Sequence, residues 1–231
     1  MGLKGKKKLT GERRKLITKL SPKSPIAEQY RTIRTNIQFS TIDEEVQTLM
    51  ITSPGPGEGK STTIANLAVV FAQQGKKTLL VDTDLRKPTV HYTFNMTNTF
   101  GLTNVITKQM GLMEAAVSAE DNLYILPSGP IPPNPAELLG SKAMNEFLSA
   151  AKEQFDIILF DTPPVVAVTD AQILANKCDG TILVVSSGKT GIEEGNKAKE
   201  LLMAAKAKLM GVVLNNRKMK ESQYYYYYGA K

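Results

Sequence analysis

The 231-residue chain has no tryptophan, one histidine and one cysteine. A lone cysteine, Cys178, excludes an intrachain disulfide and suits a reducing compartment. It reads as a small buried side chain. The longest nearly apolar run, "IANLAVVFA" (64–72), is about half of what a membrane-spanning helix needs. No transmembrane helix is therefore expected, and the N-terminus lacks the apolar segment of a secretory signal. "MGLKGK" begins like a myristoylation acceptor but has Lys6 where Ser or Thr is required. Together these absences predict a cytoplasmic protein, and a length of 231 residues predicts a single folded domain.

Charge is unevenly placed. Residues 1–23 hold nine Lys or Arg and one Glu, a net of +8, against +7 for the whole chain. The rest of the chain is thus close to neutral, at −1. The leader has no apolar periodicity and reads as poorly ordered. Two readings of it stand: attraction to anionic lipid or an acidic partner, and a merely solvated tail.

Beyond the leader, Ser24-Pro25 has the form of an N-cap followed by proline at the first helical position. A helix is predicted through "IAEQYRTIRTNIQF" (26–39). Apolar strands follow at "TLMIT", "KTLLVDTD", "LYIL", "DIILFD", "GTILVVSS" and "MGVVLN". Helical segments lie between them, among them "STTIANLAVVFAQQ", "NPAELLGSKAMNEFLSAAKEQ" and a last one over about 189–208. In the second of these, Asn134 and Glu137 have capping-box spacing, with Pro135 at the first position. Apolar strands alternating with helices predict an α/β fold, a mostly parallel sheet covered by helices on both faces.

"SPGPGEGKST" (53–62) falls between a strand and a helix. A phosphate loop belongs there, because backbone N–H groups and a helix N-terminus converge on an anion. Gly55, Gly57 and Gly59 permit the required backbone angles, and Glu58 is counted with them among the nucleotide-binding residues. Lys60 would reach the β- and γ-phosphates, the Ser61 hydroxyl would ligate Mg²⁺, and Thr62 is the last nucleotide-binding residue of the loop. The first glycine of the usual pattern is Pro54 here. A chance glycine-rich turn is the bland alternative. Asp82 and Asp84 end one strand and Asp161 another, where carboxylates face the ligand crevice of an open parallel sheet. A nucleotide's Mg²⁺ needs one or two carboxylates plus phosphates and water. One of the three aspartates is then its direct or water-mediated partner.

"SPGPGEGKST", "LLVDTDLRKP" and "IILFDTPP" resemble the Walker A, A′ and B motifs of the bacterial tyrosine kinases. "SGPIPPNPAELL" (128–139), "EQYRTIRTNI" (28–37) and the five tyrosines Tyr224, Tyr225, Tyr226, Tyr227 and Tyr228 resemble further features of that family. The resemblance spans about 24–231. It implies a P-loop NTPase fold like that of the partition and septum-placing ATPases. It also implies ATP-dependent autophosphorylation of the tyrosine tail, phosphorylation of other proteins, and control of capsule or exopolysaccharide synthesis. The separate kinases of Gram-positive bacteria, which this chain resembles, are recruited to the inner face of the cell membrane by a membrane-anchored activator.

By the same resemblance Asp82 accepts or orients the tyrosine proton. Asp84 and Asp161 then hold Mg²⁺, although the three could divide these roles otherwise. Arg86 and Lys87 could position phosphate or a tail, or form only a solvated turn. Asn215 is the candidate adenine contact. Glu28, Arg31 and Arg34 form one polar stripe on a helix, which the resemblance reads as the contact of a ring of unphosphorylated subunits. The domain boundaries on this reading are a leader at 1–23, a kinase domain at 24–220 and a tail at 221–231. Nucleic acid is not an expected partner, since no basic residue interleaves the tyrosines. The alternative is a partition-type ATPase switch that acts by nucleotide-dependent self-association. Such ATPases carry a lysine early in the loop, where this chain has Gly55, and the tyrosine tail has no place in that reading.

Overall fold

The computed structural model describes residues 16–40 and 46–218. In chain order the elements are α1 (Ile17–Leu20), α2 (Pro25–Phe39), β1 (Thr48–Thr52), α3 (Lys60–Ala72), β2 (Thr78–Asp82), α4 (Val90–Thr93), α5 (Leu102–Ile106), α6 (Leu112–Ala115) and β3 (Val117–Glu120). There follow β4 (Leu123–Leu126), α7 (Pro135–Gly140), α8 (Lys142–Gln154), β5 (Ile157–Asp161), α9 (Asp170–Ala175), β6 (Gly180–Ser186), α10 (Ile192–Ala204) and β7 (Leu209–Asn215). The strands make one sheet in the order β3-β4-β2-β5-β1-β6-β7, parallel except for β3.

The expected fold class is therefore observed, and its cause is visible in the side chains. All five residues of β1, β2 and β5 are buried, because helices cover both faces. Met50, Val81, Ile158 and Phe160 pack towards α8 and α9 on one face. Leu49, Ile51, Leu80 and Leu159 pack towards α3 on the other, against Ile64, Leu67 and Phe71. Each such fully buried side chain contributes roughly 1.5–3 kcal/mol relative to exposure. Cys178 is buried, and burial pushes its thiol pKa well above the usual range, so it is an inert packing residue.

Three local features depart from the sequence reading. The leader joins the fold before Ser24: Thr18 is fully buried, and its N–H and hydroxyl both donate to Asn66 Oδ1 of α3, at 3.1 and 2.9 Å. "NPAELLGSKAMNEFLSAAKEQ" is two helices, not one. Ser141 adopts an extended ψ of 162° and its side chain accepts the Met144 N–H at 3.1 Å, so it ends α7 and caps α8. Asn134 makes no cap of its own; its amide donates to the Glu137 carboxylate instead. Ser24 does cap α2 as expected, accepting the Ala27 N–H at 3.1 Å. The antiparallel edge strand β3 is not among the strands expected from the sequence, because "VSAE" is only four residues long and half-exposed, and its alternation is too short to stand out.

Candidate active site

The phosphate loop connects the buried strand β1 to the N-terminus of α3. Two of its glycines are required by conformation. Gly57 and Gly59 have φ of +71° and +98°, in the left-handed region that favours glycine. At Gly59 a side chain would also collide with Asn215, whose Nδ2 lies 1.9 Å from where a Cβ would stand.

Three side chains brace the loop from neighbouring segments. Asn215, the last residue of β7, donates to the Glu58 carbonyl at 2.9 Å. Thr190 donates to Glu58 Oε1 at 2.6 Å, and Glu58 Oε2 accepts the Gly55 N–H at 3.2 Å. Lys189 donates from its ammonium to the Pro56 carbonyl. Glu58 is 2% exposed and turned inward, so its observed job is to tie the loop to the β6–α10 connection. Lys189 and Thr190 escaped the sequence reading. The available signal was "SGKT" just past an apolar strand, at the same end of the sheet as the phosphate loop.

Lys60 and Ser61 begin α3. The Lys60 ammonium lies 3.1 Å from Ser61 Oγ and 3.5 Å from both Asp161 Oδ1 and Asp84 Oδ2. Thr62 follows, part-exposed, and its carbonyl accepts the Asn66 amide. Asp82 and Asp161 stand opposite each other on the adjacent strands β2 and β5, both fully buried. Asp82 Oδ2 accepts the N–H groups of Thr89 and Val90 at 2.9 Å each, and Oδ1 accepts that of Asp84 at 3.2 Å. Burial, and next the charge of Asp161, push the Asp82 pKa up to about 7. Asp84, which accepts the Lys87 N–H, is also raised, mainly by burial and against the pull of Lys60.

The structure thus brings Lys60, Ser61, Asp82, Asp84 and Asp161 into one cluster at the carboxyl ends of β1, β2 and β5. Arg86 is turned away from it. Its guanidinium donates twice to the buried Asp170, at 2.9 and 3.0 Å, which anchors the β2–α4 connection to α9. Glu28 and Arg31 are ion-paired at 2.9 Å on α2, with Arg31 also donating to the Pro22 carbonyl. Arg34 donates to the Val70 carbonyl of α3 at 3.0 Å. The stripe is therefore partly engaged within the subunit. Tyr224–Tyr228 lie outside the described residues.

Whether the cluster suits a nucleotide with Mg²⁺ turns on one atom. Asp161 Oδ2 is buried without a hydrogen-bond partner. A buried, unsatisfied carboxylate oxygen is costly, and a water of a cation's shell or the cation itself would satisfy it. Among the described residues no three acidic, His or Cys side chains converge as a metal cage. A nucleotide's Mg²⁺ does not require one. The residues fit the group.

Residues 46–207 match the AAA domain family. Tyrosine-protein kinase YwqD of Bacillus subtilis is 56% identical over 220 residues, covering 94% of this chain and 92% of that protein. The chain belongs to the bacterial tyrosine kinases. Among solved structures, the chimerical protein CapA2B2 superposes on this kinase with a TM-score of 0.86 at 46% identity, covering 88% of the kinase and 90% of that chain. The MinD cell division protein of Aquifex aeolicus has a TM-score of 0.61 at 22% identity, covering 80% and 79%. That likeness carries the fold alone, so the kinase reading prevails over the partition-type one.

Proposed function

We propose that this kinase transfers the γ-phosphoryl group of ATP to the hydroxyls of Tyr224–Tyr228 and to tyrosines of other proteins, and so regulates capsule or exopolysaccharide synthesis. The observation that carries the reading is the cluster itself. One cation, Lys60, is held between two carboxylates beside an unsatisfied carboxylate oxygen, at the mouth of a glycine loop.

A tyrosine hydroxyl, with a reference pKa near 10, is a weak nucleophile at neutral pH. Transfer then depends on alignment and on neutralising the phosphates. In this reading Lys60 leaves its carboxylates for the β- and γ-phosphates, and the backbone N–H groups of 57–62 cradle the anion. Asp82 orients the acceptor hydroxyl and takes its proton. Ser61, Asp84 and Asp161 would hold Mg²⁺, which supplies further neutralisation of phosphate charge. Asn215, which braces the loop from β7, stands as the adenine contact.

Unphosphorylated subunits associate in a ring through Glu28, Arg31 and Arg34, and each tail enters a neighbour's site. A membrane-anchored activator recruits the kinase to the inner face of the cell membrane. Among the described residues no helix is long and apolar enough to cross a membrane. That a solved relative is a chimera supports a second polypeptide as working partner. The basic leader is available to anionic lipid at that surface.

The test is incubation of the purified chain with labelled ATP and Mg²⁺, with and without activator, followed by mass spectrometry. Label concentrated on residues 224–228, and its loss when all five become Phe while an added substrate is still phosphorylated, is the expected result. Label predominantly on Tyr30, Tyr92 or Tyr124 overturns it.

A further inference from the structure

The two edges of the sheet are built differently. The β3 edge has four residues, is antiparallel, shifts register between Ser118 and Glu120, and carries Glu120 itself. Short, irregular, charged edges are how sheets avoid recruiting foreign strands. The β7 edge has one of these devices, a register shift at Met210 opposite Thr181 and Ile182, and from Gly211 to Asn215 it pairs regularly with β6. Its seven residues, "LMGVVLN", include no charge and no proline, and among the described residues it pairs with β6 alone.

Backbone direction along β7 is fixed by one bond. The Ser187 N–H donates to the Asn215 carbonyl at 2.8 Å, so Asn215 faces β6. Alternation along a strand turns Val213 the same way and sends the amide and carbonyl of Val212 and Leu214 outward. The side chains of those two residues are also exposed, at 58% and 50%. Beside the strand, a groove of about 180 Å³ opens against α2, with Ile33, Ile37, Met210 and Val213 in its lining. Exposed Lys206 and Lys208 precede β7, and exposed Arg217 and Lys218 follow it. No Asp or Glu occurs from Leu201 to Lys218.

We propose that the β7 edge is a docking site for an extended segment of a different polypeptide, with an apolar β-branched core and acidic residues at both ends. Main-chain pairing with Val212 and Leu214 supplies affinity, and alternate side chains entering the groove supply specificity. Charge selects against a second copy. Two β7 strands paired antiparallel set Lys206 and Lys208 of each against Arg217 and Lys218 of the other, and a parallel pairing also meets like with like. An acidic-flanked strand meets opposite charge at both ends. The inference rests on the edge geometry and stands apart from the phosphotransfer reading.

The probe is a fluorescein-labelled peptide, Glu-Glu-Val-Thr-Val-Thr-Val-Glu-Glu, titrated into the full chain with anisotropy and amide exchange as readouts. Saturable binding is expected, together with slowed exchange of the Val212 and Leu214 amides. The same core flanked by lysines should bind at least about tenfold more weakly. Val212→Pro removes an outward N–H and spares the ladder to β6; it should keep the wild-type circular dichroism and lose at least about tenfold in affinity. Should that variant fail to fold, Val212→Glu leaves the backbone intact and should weaken binding severalfold through repulsion and loss of apolar contact. Absence of saturable binding to the full chain overturns the proposal, as does equal binding of the lysine-flanked peptide. So does slow exchange at Val212 and Leu214 in the chain alone: if dilution relieves it, a second copy is the occupant, and if not, another part of the chain is.

Discussion

Asp82 and Asp161 are register partners on neighbouring parallel strands, and neither is exposed to solvent. Two buried acids side by side are held together by what surrounds them. Asp82 is fed by three backbone N–H groups, while Asp161 is approached by the Lys60 ammonium and keeps one oxygen unsatisfied. The pair is thus asymmetric. One member is wired to the β2–α4 connection, and the other is open to whatever enters the loop.

Replacing Lys60 by Met should lower tail phosphorylation by at least about 10²-fold, the usual cost of removing one preorganised charge-stabilising group. Asp82→Asn should lower it by about 10²- to 10⁴-fold, the range for a proton acceptor. Both variants should retain the wild-type circular dichroism. Wild-type-like incorporation of label by the Lys60 variant would contradict the placement of the phosphates.

The raised Asp82 pKa has a stability signature in the nucleotide-free, metal-free protein. The folded state holds this proton up to about pH 7, whereas an unfolded chain releases it near 3.9. The contribution is therefore complete below about pH 4 and is lost as pH rises through 7. Urea titrations at several pH values should show the wild type losing stability relative to Asp82→Asn across that window. Parallel profiles for the two proteins would refute the shift.

Gly59→Ala should abolish nucleotide binding. Alanine is strained at a φ of +98°, and its Cβ would displace the Asn215 amide from the Glu58 carbonyl. Calorimetric titration with ADP and Mg²⁺ measures it. Asn215→Ala removes the collision but also a loop brace and the proposed adenine contact, so comparing the Gly59→Ala, Asn215→Ala pair with Asn215→Ala alone separates steric conflict from backbone strain. Affinity unchanged by Gly59→Ala would show that the loop tolerates a side chain there.

For the α2 stripe, Arg31→Ala is the informative substitution. Arg34 also holds a carbonyl of α3, so its loss mixes assembly with packing. Light scattering should show a smaller species for Arg31→Ala than for the unphosphorylated wild type. Phosphorylation of the tail adds roughly −1.5 to −2 charge per tyrosine and should disperse the wild-type assembly as well. A phosphorylated form as large as the unphosphorylated one would contradict the switch.

Much of the site was legible in the sequence because its residues stand at strand ends, where apolar runs stop. The clustering of Lys60, Asp84 and Asp161 follows from strand order, and a parallel sheet with crossover helices puts all such ends on one side. What escaped were jobs set by side-chain direction. Glu58 occurs in a phosphate loop yet faces Thr190, and Arg86 follows the aspartates yet reaches Asp170. Nothing in local composition encodes which way either side chain turns. The break at Ser141 was legible in principle, since Gly-Ser in mid-helix is a stop followed by a cap, but the surrounding helical periodicity on both sides masked it.

The interior position of β1 has a consequence for synthesis. β1 feeds the phosphate loop, yet its neighbours are Ile157–Asp161 and Gly180–Ser186, made more than a hundred residues later. A chain emerging from the ribosome therefore exposes "TLMIT" and its loop without flanking strands while those hundred residues are made. Slow, long-range closure of this kind leaves apolar strands exposed to aggregation. The loop itself is not fully braced until Asn215 of β7 has left the exit tunnel, since that side chain holds the Glu58 carbonyl.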